Sequence, residues 1–248
     1  LAGIVSGLLG IGGGVILVPI LVILGFEADR AVGTSSLAVV IIAFSGSVQN
    51  WRMNKLDFKR ILPLGLPALF TAQLGATLAE FFPAYILLTT FGLMLLITIY
   101  LIDVRKNLTI NQVAKKEKKN QFSPPAIRII TGGLAGILAG LFGMGGGSIM
   151  VPSQVIFLDE PIKVAVQTSL GVVVINSLAS TVSHFLYNNV TFNAGFLLGI
   201  GGIIGSQIST RMLPKLPDKL ISFLFRTLLI LLSLYVFWQA WQLYIIEN

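Results

Sequence analysis

The sequence predicts an all-α integral membrane protein made of two inverted-topology repeats, each a glycine-broken, re-entrant segment followed by three transmembrane helices. Three observations carry this expectation: scarce charge, a duplicated glycine motif, and loop charges that differ in sign pattern between the halves. Of 248 residues, 55% are hydrophobic and 11% are charged, where a soluble domain carries about 25% charged residues. The mean hydropathy is +0.89. Uncharged stretches cover 1–26, 31–51, 61–79, 81–102, 129–158, 164–210 and 227–246. Roughly 18 apolar residues in a row are enough for one helix to cross a bilayer.

The first stretch, 1–19, reads LAGIVSGLLGIGGGVILVP and returns at 134–152 as LAGILAGLFGMGGGSIMVP, with 13 of 19 positions identical. The offset of 133 persists through Glu27/Glu160 and Ser36/Ser169, then becomes 134 through Asn54/Asn188, Phe58/Phe192, Gln73/Gln207 and Pro83/Pro217. Such a period marks a duplicated architecture. It divides the chain into a first membrane repeat (1–102), a basic cytoplasmic connector (103–128) and a second membrane repeat (129–248), each repeat with four apolar segments. A cleavable signal peptide is not expected, because the N-terminal run lacks a basic leader and recurs later in the chain.

Loop charge orients the segments. Loop 52–60 carries a net +3 while its counterpart 188–193 carries none; loop 211–219 carries +2 while its counterpart 79–85 holds only Glu80. The connector adds +5. Lysine and arginine collect on the cytoplasmic side, so 52–60, 103–128 and 211–219 are expected there, and corresponding loops of the two halves then face opposite sides, as in inverted repeats. Inversion requires an odd number of crossings per half, so one of four segments must fail to cross. Run 129–158 has 30 residues, about 45 Å as one helix against a hydrocarbon core of about 30 Å. Folding back at the glycines gives two arms of about 15 residues, with Pro19 and Pro152 expected in the first turn of the new helix, where proline forfeits no hydrogen bond. Eight full transmembrane helices is the alternative, with loop 211–219 outside.

Non-helical backbone inside a membrane is tolerated where it is buried in protein or lines a wet cavity. Gly12, Gly13 and Gly14, with Gly145, Gly146 and Gly147, are the candidate breaks. The helix following each break begins with free N–H groups and a positive dipole end, which suits an anion. Tight helix packing through Gly3/Gly7 and Gly136/Gly140 is the competing reading. On the next segment Ser36, Ala43, Ser47 and Asn50 recur in spacing as Ser169, Asn176, Ser180 and Ser183, one polar stripe per helix. Thr34, Ser35 and Thr168 extend it. Gln73 and Gln207 match between halves, and either lines the cavity or ties helices together. His184 is the single histidine, and Arg226 lies inside the last segment and is read as snorkelling to the cytoplasmic face.

No Asp or Glu falls in the uncharged runs, and the chain shows no P-loop, no metal-ligand cluster, no Ser–His–acid set and no cysteine. Catalysis, a bound metal, a cofactor and a nucleic-acid partner are therefore not expected. The formal charge of +7 lies beside apolar runs and reports orientation.

The duplicated Gly-x-Gly-Gly-Gly with its proline, the Thr34-Ser35-Ser36-Leu37 and Thr168-Ser169-Leu170 openings, and the Gln73-Leu74-Gly75/Gln207-Ile208-Ser209 patch resemble the sulfite exporter TauE/SafE family of bacterial membrane permeases over essentially the whole chain. The resemblance implies a multi-pass protein of the bacterial plasma (inner) membrane that moves small sulfur-containing anions such as sulfite or organosulfonates. It carries a substrate role to the glycines, to Thr34–Ser36 and to Thr168–Ser169. Members carry a polar residue late in the second segment of each half, here Asn50 and His184. A passive anion channel and a non-transporting membrane protein remain the other readings. The anion, the direction, a coupling ion and a homo-oligomer are left open.

Overall fold

The computed structural model describes residues 1–79, 81–112, 125–142 and 147–247. Ten α-helices make up the described residues: α1 (Ala2–Leu9), α2 (Gly14–Ile23), α3 (Ala28–Arg52), α4 (Phe58–Ala79), α5 (Ala84–Gln112), α6 (Pro125–Phe142), α7 (Gly147–Phe157), α8 (Ile162–Leu186), α9 (Phe192–Met212) and α10 (Asp218–Glu247), with one 3-10 turn at Leu213–Lys215. Among the described residues, four stretches are long and apolar enough to cross a membrane: Arg30–Arg52, Ile162–Leu186, Phe192–Lys215 and Asp218–Ile245. The apolar helices Gly14–Ile23, Tyr85–Tyr100, Pro125–Ala139 and Gly147–Phe157 are shorter. α4, with 22 residues, is about 33 Å long. Phe70, Leu197, Ile204, Phe223, Leu231 and Leu234 lie exposed on the outside of the bundle, an apolar surface that lipid solvates and water does not.

Glycines set the close helix crossings and reveal direction. Gly195 lies against Leu37, Gly199 against Ile41 and Gly46 against Ser206, so α3 and α9 run the same way. α1 joins them, with Gly3 against Gly202 and Gly7 against Ser206 and Ser209. The second triplet is α4, α6 and α8: Gly132 meets Leu64, Gly136 meets Ala68, Gly171 meets Ile61 and Gly65 meets Ile175. The triplets run oppositely, because Gly33 of α3 sits beside His184 near the end of α8 while Gly46 sits near Leu170 at its beginning. The packing is reciprocal between halves. α1 lies on α9 as α6 lies on α4, α2 lies on α3 as α7 lies on α8, and α5 pairs with its counterpart α10.

The duplicated asparagines end matching helices. Asn54 follows α3 and Asn188 follows α8, both left-handed (φ 54 and 57), a conformation asparagine tolerates better than most residues. Beyond them Lys55 N–H returns to Asn50 O at 2.9 Å and Asn189 N–H to His184 O at 2.9 Å. One end of the bundle gathers the starts of α4, α6, α8 and α10. There Arg60 and Arg128 both reach Glu160 Oε1, at 3.1 and 2.7 Å, and Lys163 pairs with Asp218 at 3.1 Å. At the opposite end Thr191 N–H donates to Thr34 Oγ1 at 3.0 Å.

Three expectations change in detail. The two arms of the second repeat are unequal, 18 residues in α6 and 11 in α7, and α6 extends until Leu141 lies against Gly75, near the end of α4. Pro19 and Pro152 fall inside α2 and α7, beyond the first turn, because Gly14 and Gly147 are already helical and each helix starts one turn earlier than the proline suggests. α5 continues to Gln112 and α6 begins at Pro125, so helix takes part of the segment expected as a connecting loop; residues 113–124 lie outside the described ones.

Candidate functional site: the glycine breaks

The first break is built by three left-handed glycines. α1 ends at Gly10 (φ 71), whose N–H returns to Ser6 O at 2.8 Å, and Gly12 and Gly13 both have φ 82. Side chains with a Cβ pay about 1–2 kcal/mol for that conformation. Gly10 sits against Val166, Gly12 between Val39 and Val173, and Gly13 beside Ala2 at the start of α1. Four residues therefore carry the chain back along the full length of α1. α2 then starts beside Val39, in the middle of α3.

Gly147, the first residue of α7, is buried with its α-carbon against the backbone of Ile11; a methyl group there would lie 2.6 Å from Ile11 O. The second repeat thus begins its short helix on the first repeat's break. Gly147 at the start of α7 lies on Ile11, and Gly12, the next residue after Ile11, sits between α3 and α8. In α2 the first internal bonds are donated by Ile16 and Leu17, both to Gly13 O at 3.1 Å, and the N–H groups preceding them have no partner within the helix. Ser148 adds a hydroxyl at the start of α7, 1% exposed and without a hydrogen bond among the described residues. The aligned residue in the first repeat is Val15, so the sequence signal for Ser148 is a polar residue breaking the match between repeats.

The remaining candidates lie at different places in the bundle. Ser169 lies directly on the break, donating from Oγ to Gly10 O at 2.8 Å. Thr168 is buried one residue earlier, and Asn176 has its Oδ1 buried in the middle of α8 without a hydrogen bond among the described residues. Thr34, Ser35 and Ser36 lie towards the other end of the bundle and are engaged structurally. Thr34 accepts from Thr191, Ser35 donates to Val32 O at 2.9 Å, and Ser36 bonds Val32 O and Ser180 Oγ, each at 2.9 Å. His184 shares that end, against Gly33. Asn50 lies at the opposite end of α3, fully buried. The duplicated glutamines part company: Gln207 Nε2 donates to Ser45 O at 3.0 Å and Ser45 Oγ at 2.9 Å, while Gln73 is exposed on α4. Gly145 and Gly146 lie outside the described residues. Among the described residues no group of three or more His, Cys, Asp or Glu side chains could hold a metal.

A helical bundle with an apolar exterior and a glycine-built backbone break buried in its interior has the construction of a membrane transporter. The model of the sulfite exporter TauE/SafE family matches residues 1–236, and the chain belongs to that family. It is 28% identical to the probable membrane transporter protein YunE of Bacillus subtilis over 97% of this chain and 95% of that protein. It is 26% identical to the probable membrane transporter protein MJ0441 of Methanocaldococcus jannaschii (95% and 91% covered) and 24% identical to YjnA of Bacillus subtilis (94% and 94%).

Proposed function

We propose that this membrane transporter is a secondary permease for a small sulfur-containing anion, such as sulfite or an organosulfonate, held centrally at the two Gly-x-Gly-Gly-Gly motifs. The observation that carries the reading is Gly147 on Ile11: the short helix of the second repeat begins against the break that precedes the short helix of the first, and α2 and α7 each supply N–H groups and a positive dipole end. Glycine lets the anion approach the backbone closely, and Ser148, Thr168 and Asn176 supply polar side chains nearby. No carboxylate in the uncharged runs opposes a negative ligand. The chain moves its ligand without catalysing a reaction on it.

The repeats are read as inverted. The triplet α1, α3, α9 opposes the triplet α4, α6, α8, and the basic segments 52–60 and 211–219, with Arg128 at the start of α6, border the end where α4, α6, α8 and α10 begin. With that end in the cytoplasm the arrangement obeys the positive-inside bias, and each broken segment enters and leaves on one side. The protein then lies in the plasma membrane, the inner membrane where the cell has two.

Flux into proteoliposomes tests the substrate class, with sulfite, sulfate, thiosulfate, taurine and sulfoacetate offered separately. Saturable uptake of one or more sulfur oxyanions is the expected result. Absence of flux for the whole panel would overturn the substrate, and currents far above carrier turnover would replace a carrier by a channel.

A further inference from the structure

Where α1, α3 and α9 converge near the basic end, four buried polar side chains lie in the last two turns of these helices. A methyl group at Gly7 would lie 2.8 Å from Thr210 Oγ1 and one at Gly46 3.3 Å from the same atom, so Thr210 stands between α1 and α3. Asn50 is one turn beyond Gly46 on the same face of α3. Ala2 of α1 belongs to the same buried cluster as Ala43 of α3. Ser6 and Ser47 lie one turn further along these two parallel helices. Ser6, Asn50 and Thr210 are 0% exposed and Ser47 is 8% exposed. Ser6 Oγ, Ser47 Oγ, Asn50 Oδ1 and Nδ2, and Thr210 Oγ1 make no hydrogen bond among the described residues.

A helical serine or threonine ordinarily donates back to the carbonyl one turn earlier. Thr131, Ser153, Ser177 and Thr181 do so here, at 2.6–2.8 Å. The junction hydroxyls forgo that bond, and buried polar atoms without partners call for a ligand. Nor does the fold demand hydroxyls on α1 and α9, since at the aligned places of the other repeat Ser6 and Thr210 become Ala139 and Ala76, while Ser47 and Asn50 keep polar counterparts in Ser180 and Ser183.

We propose that this junction binds a monovalent cation, Na⁺, through Asn50 Oδ1 and the hydroxyl oxygens of Ser6, Ser47 and Thr210. The sign of the charge follows from helix direction. α1, α3 and α9 run in parallel and end at Leu9, Arg52 and Met212, so Ser6, Asn50 and Thr210 all lie in or next to the last turn. Three negative dipole ends and their spare carbonyls converge on the junction, which favours a cation and opposes an anion. With no carboxylate among the four ligands, one positive charge is favoured over two. α1 leads directly into the Gly10 break, so cation binding clamps the arm that positions the anion site. Coupling of the two ligands, unlike cation binding itself, rests on the transport reading above.

The test is thermal unfolding of the purified chain in NaCl, KCl and choline chloride at equal ionic strength, without any anionic substrate. A rise of about 5 °C in Na⁺ over choline is expected at a hundredfold excess over Kd. Ser47→Ala and Thr210→Val, which keep volume, should lose the increment while holding their Tm in choline. Ser177→Ala, whose hydroxyl is bonded to Val173 O, should retain it. Equal Tm in all three salts, or an increment that survives both junction substitutions, would overturn the site. Because no sulfur anion is present, a wrong substrate assignment leaves this outcome untouched. Sodium-dependent flux then reads the coupling, and flux indifferent to Na⁺ overturns it.

Discussion

Ser169 Oγ donates to Gly10 O at 2.8 Å, so a hydroxyl of the second repeat holds the backbone of the first repeat's break. Both residues are buried. The bond spans 159 positions of sequence and joins the beginning of α8 to the end of α1. Its loss in Ser169→Ala leaves a buried carbonyl unsatisfied, at a cost of about 1–3 kcal/mol. A lower Tm in detergent, restored by Ser169→Thr, is the expected result. An unchanged Tm would mean that the carbonyl finds another donor.

Gly13 and Gly25 separate backbone strain from steric conflict. Both have positive φ, 82 and 90. A Cβ on Gly13 would lie 3.0 Å from Ala2 O, whereas a Cβ on Gly25 meets nothing within 4 Å. Gly25→Ala should therefore cost about 1 kcal/mol of stability with transport intact. Gly13→Leu should abolish transport, since it adds a clash at the site to the same strain. Equal flux in the two variants would remove Gly13 from the binding site.

Much of this geometry is legible in the duplicated sequence, and the exceptions have physical causes. Consecutive glycines announce the breaks because few other residues accept two successive left-handed conformations, and Asn54/Asn188 announce two helix ends for a related reason. The different fates of Gln73 and Gln207 are not legible from either residue, because the partner decides. Gln207 meets Ser45, whose aligned residue in the second repeat is Leu178, so Gln73 has no hydroxyl to bond. The Arg60–Glu160–Arg128 cluster likewise depends on α4, α6 and α8 starting together. Its members are 100 and 32 residues apart, and while Glu160 has an equivalent, Glu27, in the other half, Arg60 aligns with Ala194.

That cluster sets up a strong dependence between residues. The Arg128 and Glu160 side chains are each 2% exposed, and removing one member of a buried pair costs about 3–5 kcal/mol because the other charge is stranded. Arg128→Met and Glu160→Met should each lower Tm sharply. The double variant should lose less than the two single losses combined, with a coupling of about 0.5–3 kcal/mol, since Arg60 keeps Asp57 at 3.1 Å. Additive losses would show that the pair contributes no interaction.

The native chain contains no cysteine, so single cysteines report orientation without background. Leu216 follows the 3-10 turn after α9 and Lys55 follows α3; both lie at the end where Lys163 and Asp218 pair. Gly25 and Asn189 lie at the other end, the latter against Gly33. Lys55→Cys and Leu216→Cys should be labelled by an impermeant maleimide only from the cytoplasm, and Gly25→Cys and Asn189→Cys only from outside. This pattern follows when each repeat has three crossings and one returning segment, since Lys55 and Asn189 occupy aligned loops yet emerge on opposite sides. Eight full crossings would place those aligned loops on the same side, so labelling of Lys55→Cys and Asn189→Cys from one face would reject the inverted arrangement, whatever the transported anion.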